Sequence, residues 1–452
     1  MKVRNGMKIE LKKHITPVQF LLIGFVIVII IGSILLSLPF SSTTNTKTPF
    51  IDALFTATSA VTTTGLIVVD TGSYYSFIGE VITLILFQIG GLGYMIFAAL
   101  LVVSLRGRLS FHTRMLLRES LIRLDSVDLI TFSKAIILLT FFLEMLGITF
   151  FTVYWIQYMP LMDALYAAVY HSVSAFCTAG FSLFSDSFTA YGGSVWFNIG
   201  VDLLCIAGGI GFFVLYDVYD YFMRRKIETI QMVSTHTKFT IFLSVIVMTA
   251  GTITLFLLEN GNISVSLKER TLDSLFQAIS ASTTTGFNTI DIGAMNQPSL
   301  FIIVLLMFVG AAPGGTGGGI KITTFGLLIL IVISLLSGKK EVNIFNRRIS
   351  YETVKNALNI FIIAILWITI ALIILCITEK ESLLHLLFEE VSAFGTVGLS
   401  MGMTSSLSPI GKIVISISML IGRIGPLAIG YSILGKPKSE SFKYPKADIL
   451  VG

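Results

Sequence analysis

One eight-residue pattern occurs four times in this chain of 452 residues, and the repetition restricts the possible folds more than any other feature. The pattern is Ser-Ala-x-x-Thr-x-Gly followed by Leu or Phe, and its copies begin at Ser59, Ser174, Ser280 and Ser392. A short apolar segment precedes each copy; it is too short to cross a bilayer and typical of a re-entrant helix. Internal repetition of this kind predicts an architecture of four similar units.

The composition indicates a membrane protein. Hydrophobic residues make up 54% and charged residues 13% of the chain, and the mean hydropathy is +0.88, which excludes a soluble globule of this length. The formal net charge of +5 is better explained by membrane topology than by nucleic-acid binding. The three cysteines lie in apolar surroundings without metal or disulfide spacing, which indicates buried thiols.

Apolar runs long enough to cross a hydrocarbon core of about 30 Å occur eight times. They lie near 18–38, 78–105, 130–157, 195–222, 239–258, 299–336, 357–378 and 410–434. The N-terminus, the segments 105–134, 223–238 and 337–355, and the C-terminal tail hold 24 of the 31 lysines and arginines, so the positive-inside rule makes them all cytoplasmic. Each unit then crosses the membrane twice around its re-entrant helix, and both termini are cytoplasmic.

These observations predict an all-α integral membrane protein with four tandem repeats. Each repeat consists of a transmembrane helix, a re-entrant pore helix and a second transmembrane helix (M1-P-M2), which gives eight transmembrane helices and four pore helices. Non-helical backbone at membrane depth must be buried or line a wet cavity, so the repeats should surround a central pore with pseudo-fourfold symmetry. The predicted segments are a cytoplasmic N-terminus (1–17), repeat 1 (18–105), a linker (106–129), repeat 2 (130–222), a linker (223–238), repeat 3 (239–336), a linker (337–355), repeat 4 (356–434) and a tail (435–452).

The repeated loops have the chemistry of a cation selectivity filter. Rings of backbone carbonyls can replace the hydration shell of K+, and glycine permits the backbone geometry that aligns them. Small-residue helix packing is the alternative, and the threonine hydroxyls could serve loop hydrogen bonding rather than ions. The candidate filter residues are Val61, Thr62, Thr63, Thr64, Gly65, Phe176, Cys177, Thr178, Ala179, Gly180, Ser282, Thr283, Thr284, Thr285, Gly286, Phe394, Gly395, Thr396, Val397 and Gly398.

The sixth apolar run is interrupted by the sequence GAAPGGTGGGIK. Six glycines and one proline would cost a continuous helix about 9 kcal/mol relative to alanine, so the helix should break at 310–319. A loop at that depth predicts a gate beneath the filter, and its replacement by alanines should raise flux; close packing of Gly315 and Gly319 is the alternative. The candidate gate residues are Gly310, Pro313, Gly314, Gly315, Thr316, Gly317, Gly318, Gly319, Lys321 and Arg423.

Charged residues at bilayer depth are costly and suggest function. Arg423 occupies a position where two other units carry Gly91 and Gly209, so it should face the pore and could hydrogen-bond the gate loop. Structural pairing with Glu144 is the alternative, and Lys321 either lines the inner vestibule or snorkels. The glycine-rich sequences GGLGY (90–94) and GGIGF (208–212) lie in the second transmembrane helices of units 1 and 2, and they indicate helix packing.

Two histidines and an acidic pair also lie in the re-entrant segments. His171 and His385 are each expected to be a histidine with satisfied hydrogen bonds. The acidic pair Glu389 and Glu390 could attract cations near the mouth of the pore.

The chain resembles the Trk/Ktr/HKT superfamily of cation transporters, and most of all the Ktr-type bacterial membrane subunit. The resemblance runs from about Pro17 to the C-terminus and rests on the four units with one filter glycine each, and on the words SAVTTTGL, SAFGTVGL, GGLGY, GGIGF, GIKITTF and GRIGPL. It implies K+ uptake across the bacterial plasma membrane, often Na+-dependent, with K+ in the filter and no covalent cofactor. In plant relatives a serine replacing the first filter glycine accompanies Na+ preference, so four glycines favour K+.

The resemblance also implies partners. It predicts a homodimer of membrane subunits above a cytosolic nucleotide-binding regulatory ring of the RCK type. The tail Ser441–Gly452 resembles the C-terminal end that lies at the dimer contact in this family. From the residues alone, the basic links need do no more than anchor the topology.

Other classes of function find less support. The five histidines make no catalytic pairing by spacing, and no nucleophile or nucleotide motif stands in a suitable context, so an enzyme is not expected. A plain K+ or monovalent-cation channel without ion coupling, and a membrane protein that does not transport, remain the alternatives. Dependence of uptake on Na+ separates a coupled transporter from a plain channel.

Overall fold

The computed structural model describes residues 17–104, 129–224, 233–259, 266–339 and 341–427, and these residues are mostly helical. The helices are α1 (Pro17–Ser37), α2 (Phe50–Val61), α3 (Thr71–Tyr74), α4 (Phe77–Ser104), α5 (Leu129–Trp155), α6 (Leu161–Phe176), α7 (Val195–Gly209), α8 (Phe212–Arg224), α9 (Thr235–Leu258), α10 (Leu267–Ser282), α11 (Gln297–Phe308), α12 (Ile322–Leu336), α13 (Tyr351–Thr378), α14 (Leu383–Gly395) and α15 (Pro409–Ile424). Short 3-10 turns lie at Pro39–Ser41, Thr189–Tyr191, Ile292–Ala294 and Thr404–Ser406.

Four two-residue strands complete the described part of the chain. Strands β1 (Val309–Gly310) and β2 (Ile320–Lys321) pair in parallel, and β3 (Asn343–Ile344) pairs antiparallel with β4 (Arg347–Arg348). The β1–β2 pair joins the two ends of the segment between α11 and α12. The predicted N-terminus 1–17 and tail 435–452 lie almost wholly outside the described residues, as does most of the linker 106–129.

Helices α1, α5, α9 and α13 are the four helices of the described ranges that are individually long and apolar enough to cross a membrane. The bent pair α7 and α8 adds a fifth crossing if it counts as one span. Large aliphatic side chains on these helices are widely exposed, for example Leu138 (73%) and Leu257 (66%). Such faces suit hydrocarbon, because a helix satisfies its own backbone hydrogen bonds and needs no water there.

The shorter helices α2, α6, α10 and α14 end inside the signature pattern and pack against the long helices that precede them. Helix α10 starts with an N-cap, in which the Ser266 hydroxyl accepts the Glu269 N–H at 3.1 Å and donates to the Glu269 carboxylate. A fully buried aromatic residue lies four positions before each signature serine. These aromatic residues are Phe55, Tyr170, Phe276 and Phe388. They anchor the four short helices in the core, so the signature loops begin from buried positions.

The apolar run 195–222, which the sequence predicts to cross the membrane, is not one straight helix. Helices α7 and α8 meet at an angle of 99°, and the break contains Gly211 in a left-handed conformation with φ of +96°. Glycine adopts this conformation with little strain, so it can end a helix that hydropathy alone extends. The last predicted span, 410–434, also breaks early: α15 ends at Ile424, and Gly425 has φ of +96°.

Candidate ion pathway

Each short helix ends in the same hydrogen-bonded turn. The amide five residues after the signature serine donates to that serine's carbonyl at 2.8–2.9 Å, and the preceding amide donates to the alanine carbonyl at 3.0–3.3 Å. This is the Schellman arrangement, which requires a left-handed residue after the helix. The signature threonine occupies that position in all four loops, with φ between +49° and +59°. These central threonines are Thr63, Thr178, Thr284 and Thr396.

The signature serines tie the chain that leaves each turn. The hydroxyls of Ser59 and Ser392 accept the N–H of Gly65 and Gly398, both at 3.1 Å. In the other two loops the serine hydroxyl donates instead to the carbonyl after the signature glycine. These bonds join Ser174 to Phe181 at 2.8 Å and Ser280 to Phe287 at 2.6 Å. The serine thus holds the extended backbone against its own helix end.

The four signature glycines form a closed ring. A Cβ built on Gly65 would lie 2.6 Å from the Ala179 carbonyl oxygen, and one on Gly180 would lie 2.5 Å from that of Thr285. A Cβ on Gly286 would clash with the Val397 carbonyl, and one on Gly398 with the Thr64 carbonyl, which closes the ring. The glycines have φ between +67° and +93°. Glycine is therefore required twice over, by backbone conformation and by the neighbouring loop.

A cavity of about 970 Å³, which we name the outer cavity after the predicted topology, lies on one side of this ring. All four signature glycines line it, together with residues that follow them in each loop. The carboxylates of Asp70, Asp186 and Asp291 are also in its wall. Acidic walls raise the local concentration of cations, so this cavity suits the collection of a cation before it reaches the glycines.

The predicted gate residues lie against the central threonines. The Thr63 hydroxyl donates to the Thr316 carbonyl at 2.9 Å, and the Thr178 hydroxyl donates to the Thr316 hydroxyl at 2.9 Å. A Cβ on Gly317 would clash with the Thr284 hydroxyl, and a Cβ on Gly318 would lie 2.5 Å from the Thr396 hydroxyl. Three consecutive residues, Thr316 to Gly318, therefore contact all four signature loops.

The gate loop, residues 310–319, is also fastened to the break between α7 and α8. The Ala312 N–H donates to the Gly209 carbonyl at 2.9 Å, and the Thr316 N–H donates to the Gly208 carbonyl at 3.2 Å. In return the Phe212 N–H donates to the Gly314 carbonyl at 3.1 Å. The sequence predicted packing roles for the glycines of GGIGF, and Gly208 does pack closely, because a Cβ there would clash with the Phe176 carbonyl. The carbonyls of Gly208 and Gly209 are in addition acceptors for the gate loop.

Lys321 folds back on the gate loop. Its ammonium donates to the Gly317 carbonyl at 2.6 Å and to the Gly318 carbonyl at 3.4 Å. This contact is additional to the two roles predicted for Lys321, which are vestibule lining and snorkelling. Lys321 therefore holds the backbone that touches the central threonines.

Arg423 lies beside the gate loop but does not bond it. Its Nη2 donates to the carbonyls of Gly90 and Gly91 in α4, at 2.5 and 3.3 Å, whereas the sequence suggested the gate loop or Glu144 as partners. Glu144 instead accepts from the Gln88 amide at 3.3 Å. Gly422, next to Arg423, is close to the loop, because a Cβ on Gly318 would lie 3.1 Å from its carbonyl.

Two central threonines carry hydroxyls without a protein partner. The Oγ1 atoms of Thr284 and Thr396 are buried and form no hydrogen bond within the described residues. Nor do those residues contain three or more histidine, cysteine, aspartate or glutamate side chains grouped to hold a metal. The oxygen atoms left without a protein partner at this level are therefore threonine hydroxyls, which are ligands for hard cations.

The sequence reasoning named the loops but missed two groups of residues that shape them. The signature serines were treated only as part of the pattern, although their hydroxyls fix the glycine segment. The acceptor carbonyls of Gly208 and Gly209 were also missed. The fixed spacing of serine and glycine could have revealed the first group, whereas no sequence signal identifies a carbonyl acceptor.

Comparison with known proteins identifies the family. Residues 16–443 match the family model described as TrkH, a cation transport protein. The chain is 38% identical over 441 residues to the Ktr system potassium uptake protein B of Bacillus subtilis, with 97% of each chain covered. It is 33% identical over 455 residues to the potassium/sodium uptake protein NtpJ of Enterococcus hirae, with 99% of each covered.

A solved structure shares the fold. The crystal structure of the potassium transporter TrkH from Vibrio parahaemolyticus aligns with a TM-score of 0.69 at 19% identity, covering 92% of this chain and 85% of that one. The chain therefore belongs to the TrkH family of cation transport proteins.

Proposed function

We propose that this protein takes up K+ across the bacterial plasma membrane along the axis of the four signature loops. The observation that carries the proposal is the closed ring of signature glycines, each abutting a carbonyl of the next loop. Two similar proteins are named for the uptake of potassium, or of potassium and sodium. Rings of backbone carbonyls serve as selectivity filters for cations. Here such a ring lies between a cavity with acidic residues in its wall and the gate loop.

The proposed architecture has four M1-P-M2 units and eight spans in pseudo-fourfold symmetry. Helices α1 and α4 flank α2; α5 and the α7–α8 pair flank α6; α9 and the α11–α12 pair flank α10; α13 and α15 flank α14. The basic links between these units would face the cytoplasm with both termini. Four units of equal orientation bring four equivalent loops to one axis.

In the proposed filter, K+ exchanges its hydration shell for oxygens of the signature loops. The C-terminal ends of the four short helices carry partial negative charge near the same point, which favours a cation. The central threonines add hydroxyls, two of which have no protein partner in the described chain. These two hydroxyl oxygens make no hydrogen bond that stabilises the fold, which supports an ion site at the level of the central threonines.

In the proposed closed state, the gate loop blocks the pathway below the central threonines. Lys321 and Arg423 would add two positive charges close to it, and these oppose the passage of a cation. Opening would require the loop to leave the central threonines and the carbonyls of Gly208 and Gly209. We infer that this step is controlled by a cytosolic RCK-type nucleotide-binding ring beneath a homodimer, since the Bacillus subtilis relative is named as one protein of a Ktr system.

The test is uptake by a bacterium that lacks its own K+ transporters. Wild type, Gly65→Ser and Gly398→Ser would be coexpressed with a ring partner, and initial K+ and Na+ uptake would be followed with and without external Na+. Either serine should abolish K+ uptake or shift it toward Na+, because the side chain enters the carbonyl ring. A Na+ requirement in the wild type would favour ion coupling over a plain channel.

Gly193→Ser is the matched control. Gly193 has an ordinary φ, and a Cβ there would meet only Glu269 at 3.9 Å, so uptake should not change. If Gly65→Ser and Gly398→Ser both behave like this control, the signature loops are packing elements and the proposal fails.

A further inference from the structure

A buried polar side chain lies three residues before each signature serine, behind the loop rather than in it. These side chains are Thr56, His171, Gln277 and Glu389, each at most 1% exposed. Two of them, His171 and Glu389, hydrogen-bond the chain that leaves their own signature glycine. The side chains of Thr56 and Gln277 make no such bond within the described residues. The four units therefore differ in how firmly the outer end of the loop is attached.

His171 holds the second loop through one ring nitrogen. The Leu183 N–H donates to Nε2 at 3.2 Å, and the Ser182 hydroxyl lies 3.1 Å from the same atom. Because Nε2 accepts, Nδ1 carries the proton and donates to the Ala167 carbonyl at 2.7 Å. The imidazole thus bridges helix α6 to the chain two and three residues beyond Gly180.

Glu389 holds the fourth loop through both carboxylate oxygens. The Ser400 hydroxyl donates to Oε2 at 2.8 Å, and the Thr404 hydroxyl donates to Oε1. Ser400 lies two residues after Gly398, as Ser182 lies two residues after Gly180. The same backbone position is therefore tied to the helix in both units, by side chains of different chemistry.

The two tied loops lie across the ring from each other. Gly180 is adjacent to Gly65 and Gly286, and Gly398 is adjacent to the same two glycines, so Gly180 and Gly398 are opposite. Ser182, Ser400 and Thr404 all line the outer cavity at the entrance to the ring. The hydrogen bonds made by His171 and Glu389 therefore act at the place where an entering cation would lose water molecules from its hydration shell.

We propose that His171 and Glu389 are positioning residues that set the discrimination between K+ and Na+ by fixing the outer ends of two opposite loops. This inference rests on the proposed function of the signature loops as the filter. Na+ is smaller than K+, so its full coordination requires the loops to move inward. Side chains that fasten an opposite pair to rigid helices resist this movement, since a site held by packed helices keeps its geometry best.

The experiment measures the ratio of K+ to Na+ uptake, which does not depend on the amount of protein. His171→Leu and Glu389→Leu should each lower the ratio about tenfold, the factor equivalent to the loss of about one hydrogen bond. Glu389→Gln can still pair with both hydroxyls and should stay within about twofold of wild type. Loss of selectivity in Glu389→Gln equal to that in Glu389→Leu would mean that charge, not positioning, matters, and would overturn the proposal.

Glu390→Leu is the matched control. Glu390 is equally buried on the same helix, but its carboxylate accepts from Ser418 on α15 and makes no hydrogen bond to a signature loop in the described chain. Although the sequence paired Glu390 with Glu389 at the mouth of the pore, it is not among the described residues that line the outer cavity. The ratio should therefore stay at the wild-type value. An equal loss of selectivity in Glu390→Leu would assign the effect to general destabilisation and would overturn the proposal.

If the leucine variants fail to fold, the same interactions can be removed by substituting the loop residues whose hydroxyls bond His171 and Glu389. Ser182→Ala deletes one of the two hydrogen bonds that join the second loop to His171 Nε2, and the double variant Ser400→Ala with Thr404→Ala deletes both hydrogen bonds that join the fourth loop to Glu389. Both changes should also lower the ratio. Combined with Glu389→Leu, the double variant should cause no further loss, because interacting residues are non-additive. Full additivity would contradict the proposal.

Gly398→Ser, measured alongside, separates this proposal from the proposed function. If Gly398→Ser changes uptake while the His171 and Glu389 variants keep the wild-type ratio, only the positioning role is wrong. If Gly398→Ser also matches wild type, the filter itself is misplaced.

Discussion

At the scale of single residues, the central threonines stand out because β-branched side chains rarely adopt left-handed φ. Each such residue costs on the order of 1–3 kcal/mol, and glycine would remove this cost. All four loops nevertheless carry threonine at the position where a helix terminus normally favours glycine. Because a strained residue is repeated at four equivalent positions, we predict that the hydroxyl is needed for transport.

Thr284→Gly tests this interpretation. Its hydroxyl has no hydrogen-bond partner in the described chain, so the substitution removes strain without breaking a bond. We expect the free energy of unfolding to rise, or at least not to fall, while the apparent affinity for K+ drops. Thermal unfolding in detergent and initial K+ uptake measure the two effects.

Thr284→Ser is the control for the hydroxyl. It keeps the oxygen and removes the β-branch, so affinity for K+ should remain near that of the wild type. A Thr284→Gly protein that transports as well as wild type would show that the hydroxyl is dispensable.

At the scale of elements, the gate loop and the broken helix α7–α8 depend on each other. The break exposes the carbonyls of Gly208 and Gly209, and the loop supplies the amides that satisfy them. Buried backbone groups without partners are costly, so neither element keeps its shape alone. Movement of the loop should therefore be accompanied by a change at the break.

Gly211→Ala should disturb this junction. Alanine at φ of +96° is strained, and its Cβ would lie 2.7 Å from the Pro313 carbonyl, so the loop must shift. We expect higher basal K+ uptake in the absence of the regulatory ring, measured as initial rates in cells that express the membrane subunit alone.

The matched control is Gly338→Ala. Gly338 also has a left-handed φ, +65°, but no described atom lies within 4 Å of a Cβ there. The Gly338→Ala variant should have similar backbone strain, and its rate of K+ uptake should equal that of the wild type. Equal uptake in Gly211→Ala and Gly338→Ala would show that the break between α7 and α8 has no role in gating.

At the scale of the whole molecule, four loops that are far apart in sequence meet in one ring. We therefore predict that the segments between units lie on one side of the membrane and the loop ends that follow the signatures lie on the other. Single cysteines at Arg114 and Asp186 report the two sides, in a background lacking Cys376, the exposed native cysteine of the described chain. A membrane-impermeant maleimide added to intact cells should label Asp186→Cys and spare Arg114→Cys; the reverse pattern would invert the topology.

The resemblance to the Ktr-type subunit predicts a homodimer. In lipid nanodiscs, native mass spectrometry should detect a species of about twice the chain mass of 49.4 kDa. Deletion of 441–452, which lies outside the described residues, should shift the protein toward monomer. A monomer in both detergent and membrane would contradict this prediction.

Much of the design could be predicted from the sequence because it is local. Hydropathy marks the long apolar helices, and the density of glycine and proline marks the segment where α11 stops at Phe308. The repeated pattern marks four equivalent turns. The bend at Gly211 escaped prediction because a glycine that ends a helix and one that packs inside a helix look alike in sequence.

The sequence alone determined that the chain repeats a turn with glycine and threonine at fixed positions, since these follow from backbone strain within a few residues. Only the tertiary structure decided which groups these turns face: Thr316 against Thr63 and Thr178, Arg423 against the carbonyls of Gly90 and Gly91, and the four glycines against each other's loops. The physical reason is that such contacts join backbone groups from distant parts of the chain. Every residue carries a carbonyl, so the sequence cannot indicate which one will be the acceptor.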